Sequence, residues 1–371
     1  MSHYDSLLFV SFGGPERPED VMPFLENVTR GRNVPRERLL AVAEHYQHFG
    51  GKSPINEQNR ALIAALGQDF RAHGIELPIY FGNRNWAPFL PDALKQMQAD
   101  GRRRALAFIT SAYSSYSGCR QYLEDIERAR AALPGAPEVH ALRRFFNHPA
   151  FLDACAARAE AAWSELGSEL GARRSDARIV FTAHSIPLSM ARSCDYERQL
   201  RANGQLIAER LAQSSGGGEL AWDLVWQSRS GPPEVPWLEP DILDHLRALH
   251  AQRVSGVLIA PIGFLTDHVE VLYDLDEEAR QLCAELGMPL RRAATVGTHP
   301  RFVEMIRQLV LERLQGAPVL SVGPLPAPPG VCAPGCCPRP ERPGPRGRAA
   351  SGGPPPGAVP QGAPPQGGAA R

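Results

Sequence analysis

The sequence predicts an α/β protein of two doubly wound, Rossmann-like lobes with parallel sheets, an active-site cleft between them and a disordered Pro/Gly-rich carboxyl-terminal tail. Three observations carry this. Short apolar runs each end in a loop of glycine or polar residues, and helical patterns of about ten to fifteen residues separate the runs. From about Ser321 onward the composition turns to Pro, Gly, Ala and Arg.

The run Leu7-Leu8-Phe9-Val10-Ser11-Phe12 predicts a buried strand that opens into Gly13-Gly14-Pro15. The pattern recurs at 79–81 before Gly82-Asn83-Arg84-Asn85-Trp86, and at 105–109 before the loop from Thr110 to Tyr116. It recurs again at 179–181 before Thr182-Ala183-His184-Ser185, and at 257–260 before Pro261-Ile262-Gly263-Phe264. Helices are predicted over 58–73, 91–99, 121–132 and 300–314. At roughly 100–200 residues per domain, the 371 residues suit two modest domains and an appendage. Residues 1–150 are assigned to the first lobe and 151–299 to the second, with a helix over 300–315 packing back on the first. A Cys-containing segment over 321–337 and a disordered tail over 338–371 follow, the tail because it lacks the apolar surface to offset its ordering entropy. In doubly wound sheets ligands sit beyond the carboxyl ends of the strands, where all five loops fall.

With 40 basic and 40 acidic residues there is no electrostatic footprint for nucleic acid or an anionic membrane. No apolar stretch approaches eighteen residues and no secretion signal opens the chain, so a soluble cytoplasmic protein without a transmembrane segment is expected. Oligomeric state is not legible. Seven cysteines, an odd number without a secretion signal, argue against a disulfide framework. Metal or cluster ligation is the better use for Cys332, Cys336 and Cys337, which group together.

Two constellations could do chemistry. His184 ends a predicted strand and places an imidazole at the functional edge of the sheet, where it could ligate a metal or accept a proton. The same position also suits a histidine that caps the next helix. If the chain is helical after Thr266, Glu270, Asp274 and Glu278 stand at i, i+4 and i+8 and form one carboxylate stripe. Such a stripe is either a solvated face or a hard-oxygen path for a divalent cation. Loops 12–15, 49–54 and 113–118 bring aromatic faces and small residues where a flat ligand could approach the backbone. Neither glycine pair completes a phosphate-binding fingerprint, which disfavours nucleotides.

From about Tyr4 to Leu314 these segments resemble the ferrochelatase family. The motifs are Val28-Thr29-Arg30-Gly31-Arg32, Gly50-Gly51-Lys52-Ser53-Pro54, Gly82-Asn83-Arg84-Asn85-Trp86, Ala183-His184-Ser185-Ile186-Pro187, Trp226-Gln227-Ser228-Arg229, Pro236-Trp237-Leu238-Glu239-Pro240 and Gly263-Phe264 through Asp274. The resemblance implies a chelatase-like fold and insertion of ferrous iron, as substrate, into a porphyrin. It implies that His184 and Glu270 face each other across the ring as bases and iron ligands, with Asp274 and Glu278 extending the acidic row outward. Phe12, Ser53 and Tyr122 would contact the tetrapyrrole, and Arg30 is a candidate partner for its carboxylates. The glycine-asparagine motif and the tail look most like actinobacterial-type enzymes, whose substrate is coproporphyrin III; protoporphyrin IX is the alternative. Some relatives hold a [2Fe-2S] cluster, and the resemblance assigns its ligands to Cys155, Cys332, Cys336 and Cys337, while Cys119, Cys194 and Cys283 are expected to be ordinary thiols. Adjacent Cys336 and Cys337 could both ligate only if the backbone turned sharply between them. The competing readings are a non-catalytic tetrapyrrole or metal carrier, and a cobalt or nickel chelatase of the same architecture.

Overall fold

Every residue of the first strand, β1 (Ser6–Ser11), is buried, as a strand must be when helices cover both faces of a parallel sheet. The computed structural model describes residues 4–32 and 34–340. β1 pairs in parallel with β2 (Ile79–Asn83) on one side and with β3 (Arg104–Ile109) on the other, and β3 pairs with β4 (Glu138–Ala141). The order is therefore β2-β1-β3-β4. The second half repeats it: β5 (Arg178–His184), β6 (Trp222–Gln227), β7 (Val257–Ala260) and β8 (Leu290–Arg292) lie in the order β6-β5-β7-β8, again all parallel. In each sheet the first strand stands where the order reverses, so the ligand crevice is expected at the carboxyl ends of β1 and β5.

The predicted strands all form. β4, β6 and β8 were not predicted, and the reason is physical: they are edge strands that carry Glu138, Asp223, Gln227, Arg291 and Arg292, so the continuous apolar run that marks a central strand is absent. Helices Ile55–Ala72, Leu90–Ala99, Gln121–Ala131 and Pro300–Leu314 lie where periodicity placed them, within three residues at their ends. Helix Pro149–Leu170 begins with proline in its first turn, and its free Ala150 amide donates to the Nδ1 of His148 at 3.2 Å.

Phe9 and Phe108 from the first sheet, Phe181 and Trp226 from the second, and Phe145, Phe151 and Phe302 between them are fully buried in one continuous core. The rings of Phe145 and Phe151 meet edge to face at 5.4 Å. Each such side chain contributes about 1.5–3 kcal/mol through burial. Helix Pro300–Leu314 packs on both Ile55–Ala72 and Pro149–Leu170, and Arg307 pairs with Asp69 at 2.8 Å.

Beyond that helix the chain is irregular but tied down. Arg143 forks onto Glu312 at 2.8 Å through each nitrogen and donates to the Leu320 carbonyl, while Asn147 donates to the carbonyls of Leu325 and Pro326. Of the tail predicted to be disordered over 338–371, residues 341–371 lie outside the described residues. Among the described residues no helix is long and apolar enough to cross a membrane.

Candidate functional site

His184 is the last residue of β5, at the carboxyl edge of the second sheet. Its Nδ1 lies 2.5 Å from the Ser185 carbonyl oxygen, which can only accept, so Nδ1 carries the donated hydrogen and Nε2 is the ring nitrogen left to face the cleft. That Nε2 is 3.7 Å from Oε2 of Glu270, and the Nδ1 of His268 lies 4.0 Å from the same oxygen. Gly263 makes the convergence possible. A Cβ there would stand 2.5 Å from the Cβ of Ala183, so only glycine lets the segment leading to Glu270 lie against the strand that carries His184.

The carboxylate stripe is held by a π-helix. The chain is α-helical only over Val269–Val271, then widens to a π-helix over Leu272–Ala279 before returning to α at Arg280–Glu285. The single regular helix expected after Thr266 is thus corrected; widened turns of this kind cluster at functional sites. Asp274 points inward and accepts from the Ser228 hydroxyl and, at 3.2 Å, from Gln227 Nε2. Ser228 reaches it from a left-handed backbone conformation, φ 60, which is costly for a residue with a Cβ. Burial drives the Asp274 carboxyl up to about 7, and the negative charges of Glu270 and Glu278 push the same way against those two hydrogen bonds. Burial also raises Glu278 above its ordinary value. The first half of the chain covers this segment: Val269 packs with Val21, Phe24, Leu25 and Tyr46, and the ring of His45 stacks on Tyr273 at 3.7 Å.

The separation of His184 and Glu270 corrects one expectation. A flat ring between two side chains needs about 7 Å, twice an ordinary carbon contact, so at 3.7 Å the two cannot face each other across a macrocycle. The distance suits two ligands of a single ion with bonds of about 2.1 Å, both on one side of a ring. Phe12 is exposed just beyond β1 and stands 6.0 Å from the Arg84 guanidinium, which lies 4.4 Å over the ring of Tyr122. Tyr122 itself is buried under Arg84. Ser53 is buried too, packed where a Cβ on Gly14 would collide with it. Arg30 is exposed. A cavity of about 670 Å³, lined by Glu165, Asp276, Arg280, Leu290, Arg291 and Arg292, includes neither His184 nor Glu270, and we give it no part in the chemistry because its walls are already ion-paired.

A second cluster is made of thiols. Cys155, which the resemblance implies as a ligand, is buried inside helix Pro149–Leu170, and burial pushes its thiol up. Cys119 lies beside Cys337, and its sulfur accepts from Arg144 Nε at 2.9 Å; the Cys337 thiol and Arg144 pull it below its ordinary value. Cys336 and Cys337 sulfurs are 3.7 Å apart, brought together by the sharp turn foreseen as a requirement: Cys337 adopts φ 49. Cys332 is within reach of Cys336. Arg120 holds the segment by donating to the carbonyls of Cys336 and Ala333. Among the described residues no three His, Cys, Asp or Glu side chains are grouped to hold a single metal ion.

The family profile described as ferrochelatase matches residues 4–314. The chain belongs to the ferrochelatase family. As a ferrochelatase it inserts ferrous iron into a porphyrin, with release of the two pyrrolic protons, in haem biosynthesis. A ferrochelatase of Rhodopirellula baltica is 58% identical over 313 residues, covering 84% of this chain and 86% of that protein. A coproporphyrin III ferrochelatase of Streptomyces coelicolor is 52% identical over 84% of this chain and 86% of that one. One from Mycolicibacterium smegmatis is 52% identical over 88% and 94%. Among solved structures, the sirohydrochlorin chelatase SirB of Bacillus subtilis subspecies spizizenii matches with a TM-score of 0.48 at 11% identity, over 85% of this chain and 97% of that one.

Sequence reasoning did not single out His268, Ser228 or Arg84 in the candidate cleft, or Cys119 beside the carboxyl-terminal thiols. The first three stood inside quoted motifs, but nothing in their spacing said that His268 and Ser228 would lie against Glu270 and Asp274 or that Arg84 would lie over Tyr122.

Proposed function

We propose that this ferrochelatase acts on coproporphyrin III, with His184 and Glu270 as joint ligands of the incoming iron on one side of the ring. The observation that carries the site assignment is the 3.7 Å approach of the His184 Nε2 to the Glu270 carboxylate. Asp274 and Glu278 continue the oxygen path outward, and Asp274, held near neutrality by burial, takes up a pyrrolic proton as iron enters. Phe12 and Arg84 form the wall nearest the ring, with Tyr122 and Ser53 supporting that wall from beneath. The choice of ring is supported by the relatives at 50–53% identity that are named coproporphyrin III ferrochelatases. Four carboxylates call for cationic partners, and Arg30 and Arg32 are the exposed candidates, since Lys52 is paired with Glu57 at 2.6 Å.

We also read Cys119, Cys332, Cys336 and Cys337 as ligands of a [2Fe-2S] cluster, a one-electron redox centre. Supporting this, the 3.7 Å between Cys336 and Cys337 sulfurs is the spacing expected of two sulfurs on one tetrahedral metal with bonds of about 2.3 Å. The experiment for the reaction is anaerobic incubation with ferrous iron and either coproporphyrin III or protoporphyrin IX, following loss of free-base absorption. Faster turnover of protoporphyrin IX would reverse the choice of ring, and turnover of neither would favour a tetrapyrrole carrier.

A further inference from the structure

The span that carries Glu270 and Asp274 is gripped from outside by one side chain. Arg292 ends β8, the strand beside β7, and its guanidinium turns onto residues that follow β7 in the chain. Nε and Nη2 fork onto the two carboxylate oxygens of Asp276 at 2.7 and 2.8 Å, while Nη1 reaches Asp267 at 3.2 Å. All three side chains are largely buried. A planar fork so held has a fixed geometry that a single ammonium does not reproduce. Arg280 also approaches Asp276, but it stands 4.0 Å away, is mostly exposed and ties Asp276 only to its own helical stretch.

The two carboxylates bracket the functional span. Asp267 precedes Glu270, and Asp276 follows Asp274 inside the π-helix. The Asp267 amide donates to Gln58 Oε1 at 2.8 Å, so the start of the span is also tied to helix Ile55–Ala72. A π-turn holds more residues than an α-turn and is the rarer form. If the span tightened to α, Asp274 would rotate about the helix axis relative to Glu270. Pinning both ends to one rigid fork opposes that change.

We propose that Arg292 is a positioning residue for iron delivery, its grip on Asp267 and Asp276 setting how Glu270 and Asp274 stand relative to each other. The inference rests on the reading of Glu270 as iron ligand and Asp274 as path residue. The porphyrin wall is built from Phe12 and Arg84 on the other lobe, so loosening the grip falls on iron and not on the ring.

The test uses the full chain without air, with initial rates against ferrous iron and against whichever of coproporphyrin III and protoporphyrin IX is turned over faster. Porphyrin affinity is read by fluorescence quenching without iron, and folding by circular dichroism. Arg292→Lys is expected to lower kcat/KM for ferrous iron by about ten- to a hundredfold, the cost of a small misplacement at a reacting centre, with porphyrin affinity unchanged. Asp276→Asn should cause a similar loss, and the double variant no larger one, because both break the same grip. Arg291→Lys, which alters pairs with Glu165 and Glu169, should leave both quantities where they were. A folded Arg292→Lys variant with wild-type kcat/KM for iron, or with an equal loss of porphyrin affinity, overturns the proposal. Should that variant fail to fold, Asp276→Asn decides by the same two readouts. Near-normal turnover in Glu270→Ala would remove the site reading and this inference together, whereas a damaged Glu270 variant beside an undamaged Arg292 variant removes the inference alone.

Discussion

The cleft and the thiol site bury ionisable groups to opposite effect. Asp274 lies among other carboxylates with only a hydroxyl and an amide to oppose them, and its carboxyl rises to about 7. Cys119 is buried as well, yet the Cys337 thiol and Arg144 stabilise its charged form and hold it below its ordinary value. Depth alone would raise both groups. The partner decides the direction.

The contrast can be broken most severely at the cleft. His184→Ala and Glu270→Ala should each lower the insertion rate by about 10²–10⁴-fold, with porphyrin binding retained, as read from anaerobic absorbance and fluorescence quenching. Near-normal turnover in either variant would remove that residue from the site. At the other region, Cys119→Ser should abolish bound iron and sulfide, while Cys155→Ser and Cys194→Ser should keep them. The reverse pattern for Cys119 and Cys155 would restore the ligand set implied by the resemblance.

Smaller effects sharpen the comparison. Gly263→Ala should destabilise the fold by about 1–3 kcal/mol, measured by denaturant titration, because the added methyl meets the Ala183 Cβ 2.5 Å away. An unchanged midpoint would mean that the strand carrying His184 is not so tightly apposed. Asp274→Asn should alter the pH dependence of stability. In the folded protein Asp274 keeps its proton above 3.8, where the unfolded chain has lost it, so its contribution is greatest below 3.8 and declines as pH rises to about 7. The Asn variant should lack that decline, and identical slopes across the window would place the carboxyl in water.

Much of the cleft was legible because β-sheet geometry places it. An apolar run ending in His184 implies a side chain at the sheet's carboxyl edge, and acidic residues at every fourth position imply one face of a helix, whether its turns are α or π. The thiol site offered no such rule. Cys119 lies in a π-turn over Tyr116–Arg120, and its neighbours arrive from an irregular segment more than two hundred positions later. Spacing along the chain cannot register a contact of that kind, so Cys155, in a helix that the family pattern favoured, was chosen in its place.

By itself the sequence determined the α/β class, the central strands, the identity of the cleft residues and the family, since these depend on local patterns of apolar and polar residues. Tertiary structure alone decided that His184 and Glu270 stand side by side, that Asp274 titrates near neutrality and that Cys119 joins the terminal thiols. Each of these is a distance or a charge environment created when remote segments pack, and neither quantity exists until the chain has folded.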